Sequence, residues 1–231
     1  MIYCEVQAIL SGMSMNDSNR LLDLVSHTKF IHILGAGLNS QRPAHSAVID
    51  LSKRGWNPIP IHPRDAGASI SGYPIRPMIE DGIEPEIVVL FLAPERAREA
   101  VRKLLLRNYE SPPLIWYQLG AEDGISEDWL QDAGWNFVKD DCIVRFVQRH
   151  DLVREPQVIP WFKQVQSDDD SGCSVWSAHE WQENSEKSKT ELEWIGDLRD
   201  LENSNSSIPN YIRGLRNDGE SLEECARRLA N

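Results

Sequence analysis

The sequence predicts an α/β domain, a doubly wound sheet of about five parallel strands, followed by an acidic C-terminal extension. Three observations predict it. Between about residues 29 and 150, short β-type apolar runs alternate with helical segments, the pattern of repeated βαβ units. The run over residues 87–92 is continuously apolar, as expected of a strand buried on both faces of a parallel sheet. The first run stops at the glycine-rich turn Gly35-Ala36-Gly37, and a helix follows.

The elements follow in order. Residues 1–28 form an N-terminal helical segment, with Asp17 or Ser18 as N-cap and Leu21, Leu22, Leu24 and Val25 on one side. Residues 30–34 (Phe-Ile-His-Ile-Leu) are the first strand. Residues 44–53 are a helix that Arg54-Gly55 terminates. Residues 56–61 are the second strand, closed by Pro63, and 87–92 the third. Pro94 suits the first position of a helix that runs over 95–107. A strand over 114–119, a helix over 127–133 and a strand over 135–138 complete the domain, which extends over 29–150.

From residue 151 the character changes. Residues 151–231 carry 17 acidic and 9 basic side chains, so this third of the chain holds most of the net charge of −12. Residues 167–172 (Ser-Asp-Asp-Asp-Ser-Gly) and 203–207 (Asn-Ser-Asn-Ser-Ser) read as solvated loops. Yet Trp161, Trp176, Trp181 and Trp194 fall here, and a wholly disordered tail is poor in aromatics. The extension is therefore expected to be partly ordered, packing on the domain or gripping a protein partner. Ser221-Leu222-Glu223-Glu224 is a capping-box pattern that opens a last helix to Leu229.

Composition excludes several classes. The acidic balance opposes nucleic-acid binding, which rests on Lys and Arg neutralising phosphates. No apolar run of about 18 residues occurs, and Glu5 and Gln7 interrupt the only candidate for a signal peptide, so no membrane association and a cytoplasmic location are expected. Cys4, Cys142, Cys173 and Cys225 form no CxxC pair, and the six histidines show no HxH or HxxxH spacing, so no metal site is expected.

The strongest motif is the strand–Gly35-Ala36-Gly37-Leu38-Asn39-Ser40-Gln41-Arg42-Pro43–helix unit. Glycines let the backbone approach a phosphate, the helix start points its free N–H groups there, and Arg42 adds a cation. A dinucleotide fingerprint needs a third glycine where this chain has Ser40. It also needs an acid at the end of the second strand, which here reads Pro60-Ile61-His62-Pro63, and the first acid beyond is Asp65. NAD is thus disfavoured, and His62 and Arg64 suit a ligand with an extra phosphate. Residues 42–64 also hold Lys53 and Arg54 and a single acid, Asp50, a local basic patch on an acidic chain.

Residues 29–145 resemble the small stand-alone CoA-binding proteins. Their Rossmann-like domain is similar to the nucleotide-binding part of the succinyl-CoA synthetase α-subunit. The resemblance rests on Ile33-Leu34-Gly35-Ala36, Arg42-Pro43, Gly55-Trp56, Ile59-Pro60-Ile61-His62-Pro63 and Gly72-Tyr73-Pro74. It continues through Trp116-Tyr117-Gln118-Leu119-Gly120 and Asp140-Asp141-Cys142. It implies that coenzyme A or an acyl-CoA lies along the carboxyl ends of the strands. Gly35, Ala36, Arg42 and Pro43 would meet phosphates, with Gly37 and Gln41 in the same loop. His62 and Pro63 would line the nucleotide end, Ala93 and Pro94 another wall, Gln118, Leu119 and Gly120 the pantetheine path, and Cys142 its far end. Three positions depart from the family pattern: Gly37 stands in place of serine, His62 in place of a polar residue that is often Asn, and Asp141 in place of Arg.

No catalytic residue is expected. His45 and His62 lack a nucleophile in a GxSxG-like elbow, and Asp140 and Asp141 beside Cys142 oppose a thiolate, which favours a packing cysteine. The reading is therefore a CoA-binding regulatory or carrier module without thioester-forming activity of its own. The alternatives are an NAD(P)-binding oxidoreductase or redox sensor, and a protein-interaction module with a degenerate nucleotide pocket.

Overall fold

The computed structural model describes residues 18–169, 171–181 and 185–230. Most of the expected segment before the first strand, with Cys4 and the Asp17 cap, lies outside the described residues. Its last part is α1 (Ser18–His27), which buries Leu21 and Val25, four residues apart on one face.

The α/β domain then runs β1 (Phe30–Leu34), α2 (Pro43–Ser52), β2 (Asn57–Ile61), the short hairpin β3 (Ser69–Ile70) and β4 (Tyr73–Pro74), and β5 (Ile87–Leu90). It continues with α3 (Pro94–Leu105), β6 (Leu114–Tyr117), α4 (Gly124–Asp132), β7 (Phe137–Val138) and α5 (Ile143–Arg149). The five-stranded parallel sheet has the order β2-β1-β5-β6-β7, flanked by helices, as the doubly wound reading requires. Ile31 pairs with Ile87, and Ile87 with Leu114. Ile31, Ile33, Val88, Val89, Ile115 and Trp116 are fully buried, which explains why these strands read as unbroken apolar runs rather than alternating ones.

Boundaries moved where a cap or a turn decides them. Pro94 takes the first turn of α3 behind Ala93, as its fixed φ favours. α4 begins three residues earlier than residue 127, because the Asp123 carboxylate accepts the Ser126 N–H at 2.9 Å and opens the helix there. β5 and β6 end before residues 92 and 119, where the chain turns towards α3 and α4. α5 was not expected: its N-cap is Cys142, whose side chain makes no capping bond, so no start signal is legible.

The chain divides into two compact units. One holds the residues up to Gly35, Asp50–Pro58 and Glu84–Pro156; the other holds Ala36–Ile49, Ile59–Ile83 and the residues from Gln157 on. In the second unit, β8 (Trp161–Gln166), β9 (Ser174–His179) and β10 (Leu192–Asp197) form an antiparallel sheet of order β10-β8-β9. It is followed by α6 (Leu198–Asn203), α7 (Ser207–Gly214) and α8 (Leu222–Leu229). The serine- and aspartate-rich tract is the tip between β8 and β9, and the Ser221–Glu224 capping box is present at α8.

The tryptophans explain this order. Trp176 stacks on Phe162 and on Trp194, with centroids 5.6 Å apart in both pairs, over a core of Leu201, Ile212 and Ala226. Trp176 Nε1 donates to the Ala226 carbonyl at 2.9 Å, so the polar edge of the half-buried ring is satisfied. Residues 59–83 belong to the same unit. Arg76, buried, donates to Asp197 and to Asp200, both at 2.7 Å, and to the Pro74 carbonyl at 3.0 Å. Glu80 accepts from Trp194 Nε1 at 3.1 Å and from the hydroxyls of Ser204 and Ser206. Among the described residues no helix is long and apolar enough to cross a membrane.

Candidate functional site

Strand order reverses between β1 and β5, and in open α/β sheets the crevice outside the carboxyl ends of such strands is where ligands bind. Leu34 ends β1, and its carbonyl accepts the Phe91 N–H at 3.0 Å. Gly35 then turns with φ 96°, and a Cβ there would lie 2.3 Å from the Phe91 carbonyl oxygen. Only glycine fits, for its conformation and for the close approach of the neighbouring strand. Past the end of β5, Ala93 and Pro94 open α3, a helix of 12 residues whose N-cap supplies no side-chain acceptor. A helix start capped in this way leaves amide donors that suit an anion.

Further along the same edge, Gln118 follows β6. Its Oε1 accepts the Ile143 N–H at 3.3 Å, so this buried side chain serves the start of α5. Leu119 is exposed, and Gly120 turns with φ 86° and donates its N–H to Glu122 at 2.6 Å. Cys142 is half-buried, a free thiol at the N-cap of α5, and its N–H donates to the Asp141 carboxylate at 2.8 Å. Asp141 also binds Arg149 at 2.6 Å. The acid that stands where the resemblance expects Arg is thus paired with Arg149, at the end of α5.

The second unit carries the rest of the glycine loop. Asn39 shapes it: its side chain accepts the Gln41 N–H at 3.0 Å and its carbonyl the Arg42 N–H at 3.0 Å. Gln41, Arg42 and Pro43 are exposed at the start of α2, and Ala36 is buried. His45 lies 2.9 Å from the Gly37 carbonyl through Nδ1, so it carries its proton there and braces the loop. Gly37 faces an unexpected group. A Cβ at this position would lie 2.3 Å from Asp65 Oδ2 and 2.9 Å from His62 Cγ. Asp65 Oδ2 accepts the Leu38 N–H at 2.8 Å and lies 3.2 Å from His62 Nδ1.

The structure therefore brings Gly37 and His62 together, and with them Asp65, which the sequence offered only as the first acid beyond the second strand. The signal was the turn itself: Asp65 N–H donates to the His62 carbonyl at 3.2 Å, which folds the acid back. A serine at position 37 would require the Asp65 carboxylate and the His62 ring to shift. Arg54, counted in the basic patch, is engaged elsewhere, donating to the Leu152 carbonyl at 3.2 Å. Among the described residues no group of three His, Cys, Asp or Glu side chains is placed to hold a metal ion.

Residues 29–147 match a family model described as a CoA binding domain. No curated protein matches the chain. Among solved structures, the protein described as cell-free ID.343 from Thermus thermophilus is 30% identical, with a TM-score of 0.51 over 57% of this chain and 97% of its own. A hypothetical protein from Pyrococcus horikoshii OT3 is 21% identical, with a TM-score of 0.51 over 57% of this chain and 90% of its own. Prb, a protein redesigned for binding, is 20% identical, with a TM-score of 0.51 over 61% of this chain and 94% of its own. The last two show likeness of fold alone. The family model covers more than half of the sequence, so the chain belongs to the CoA binding domain family.

Proposed function

We propose that the chain binds coenzyme A or an acyl-CoA along the carboxyl ends of the parallel strands, as a cytoplasmic regulatory or carrier module that does not itself form the thioester. The observation that carries this is the family match over residues 29–147, laid on a sheet whose order reverses between β1 and β5. The residues suit such a ligand. Arg42 is an exposed cation at the start of α2, and α3 opens behind Ala93 and Pro94 with no side-chain cap. Gln118, Leu119 and Gly120 would guide the pantetheine arm, and Cys142 would lie at its far end. Gly35, Ala36 and Pro43 shape the backbone that receives the diphosphate, and Gly37 with His62 and Pro63 forms the nucleotide end.

A thermal-shift titration tests the reading. CoA at a hundred times its dissociation constant should stabilise the chain by about 2.7 kcal/mol, whereas NADPH and NADH should shift it little. A shift with the nicotinamide nucleotides and none with CoA would overturn it.

A further inference from the structure

Amides that follow a strand-ending glycine are the donors on which nucleotide phosphates rest. In this chain the Leu38 amide already serves an anion of the chain's own, the Asp65 carboxylate, at 2.8 Å. That contact is built in from three sides. Asp65 and His62 sit where a side chain at position 37 would begin, so they would have to shift to admit one. His62 Nδ1 stands 3.2 Å from the same carboxylate oxygen. The turn that carries Asp65 is pinned as well, with Lys187 Nζ donating to the Arg64 carbonyl at 2.7 Å. Asp65 keeps 27% of its side chain exposed, so it remains able to meet a ligand.

An acid in the turn after the second strand of a nucleotide-binding sheet accepts the hydroxyls of a ribose; where that ribose bears a phosphate, a cation stands there instead. A carboxylate accepts from O–H groups but has nothing to donate to a phosphate, and like charges repel. We propose that Asp65 reads the ribose of the bound nucleotide as a free diol, so that the chain takes dephospho-CoA and its thioesters in preference to CoA, which carries a 3′-phosphate. This reverses, for His62, the expectation of a place for an extra phosphate, since its Nδ1 lies 3.2 Å from the acid; Arg64 beside it is exposed. The choice of ligand rests on the CoA reading above; the role of Asp65 rests on the loop.

Isothermal titration of the full chain with four probes (dephospho-CoA, CoA, NAD and NADP) tests it. Dephospho-CoA should bind at least about tenfold tighter than CoA, a difference of about 1.4 kcal/mol. Asp65→Asn, which keeps an acceptor for the Leu38 amide, should narrow the gap to about threefold, chiefly by tightening CoA. Asp65→Ser should do the same, so a poorly folding variant does not leave the result open. CoA binding the native chain as tightly as dephospho-CoA, or a ratio unchanged in both variants, would overturn the proposal and leave the CoA reading standing. NAD bound about tenfold over NADP, with neither CoA form bound, would overturn the CoA reading and leave the ribose assignment standing. Binding of none of the four would overturn both.

Discussion

Arg76 Nε donates to Asp200 Oδ2 across 2.7 Å, and the two side chains are only 5% and 10% exposed. Asp197 shares the same guanidinium, so two carboxylates and one cation are buried together, and the Pro74 carbonyl takes a further donor. Such a cluster holds while it is complete, because removing one partner leaves an uncompensated buried charge. Arg76→Met should therefore destabilise the chain by about 3–5 kcal/mol, read from urea unfolding. A loss within the error of the extrapolation would show that the two acids find other partners.

Burial, opposed by the Arg76 charge, pushes the Asp200 carboxyl up from 3.8 to about 6. A group that holds its proton more tightly when folded stabilises below its unfolded pKa, and that contribution is lost as pH rises through the folded value. Stability should fall between about pH 4 and pH 6 on this account. Asp200→Asn should flatten that limb, measured as melting temperature against pH.

Asp123 behaves in the opposite sense. The Arg98 guanidinium, donating to it at 2.9 and 3.1 Å through Nε, holds its carboxyl down at about 2. Its contribution is present above 3.8 and lost as pH falls towards 2. Asp123→Ala should remove this acid-limb dependence, and the lost cap of α4 should cost about 1 kcal/mol at neutral pH.

Gly37→Ser, the change towards the residue that the resembled family carries, should destabilise the native chain, since its Cβ would sit 2.3 Å from Asp65 Oδ2. In an Asp65→Ser background the same change should be tolerated better. A double-mutant cycle should read a coupling of about 0.5–3 kcal/mol, and additive effects would refute the packing described for this loop.

Arg42→Glu should weaken CoA binding by about tenfold or more while the melting temperature stays put, because Arg42 is exposed at the start of α2. Unchanged affinity in a calorimetric titration would move the phosphates away from this helix.

Much of the fold was legible because the strands are apolar throughout and the helices are punctuated by strong signals. Pro94, Gly35 and the Ser221–Glu224 box each mark an end that the structure keeps. What stayed hidden was either short or non-local. α5 starts on a cysteine, β3 and β4 have two residues each, and the sheet of β8, β9 and β10 is held by ring stacking between residues far apart in the chain. At the candidate site the glycines were visible but their reason was not. Gly35 is required by the Phe91 carbonyl and Gly37 by Asp65 and His62, so both answer to the chain's own packing. The contact from Asp65 to Leu38 spans 27 residues and follows from a turn, which no periodicity reports.

The cluster around Arg76 also bears on how this protein is inherited and turned over. Residues 59–83 lie inside the family match, yet the buried charge among them, on Arg76, is met by Asp197 and Asp200, fifty residues or more beyond its end. The boundary that evolution draws and the boundary that physics draws are therefore different. Clipping of the chain after residue 147 by a protease would therefore cut through a compact unit. It would take away both acids that Arg76 binds and the segment that shares a compact unit with residues 59–83, so the truncated chain should be less stable to urea than the full one.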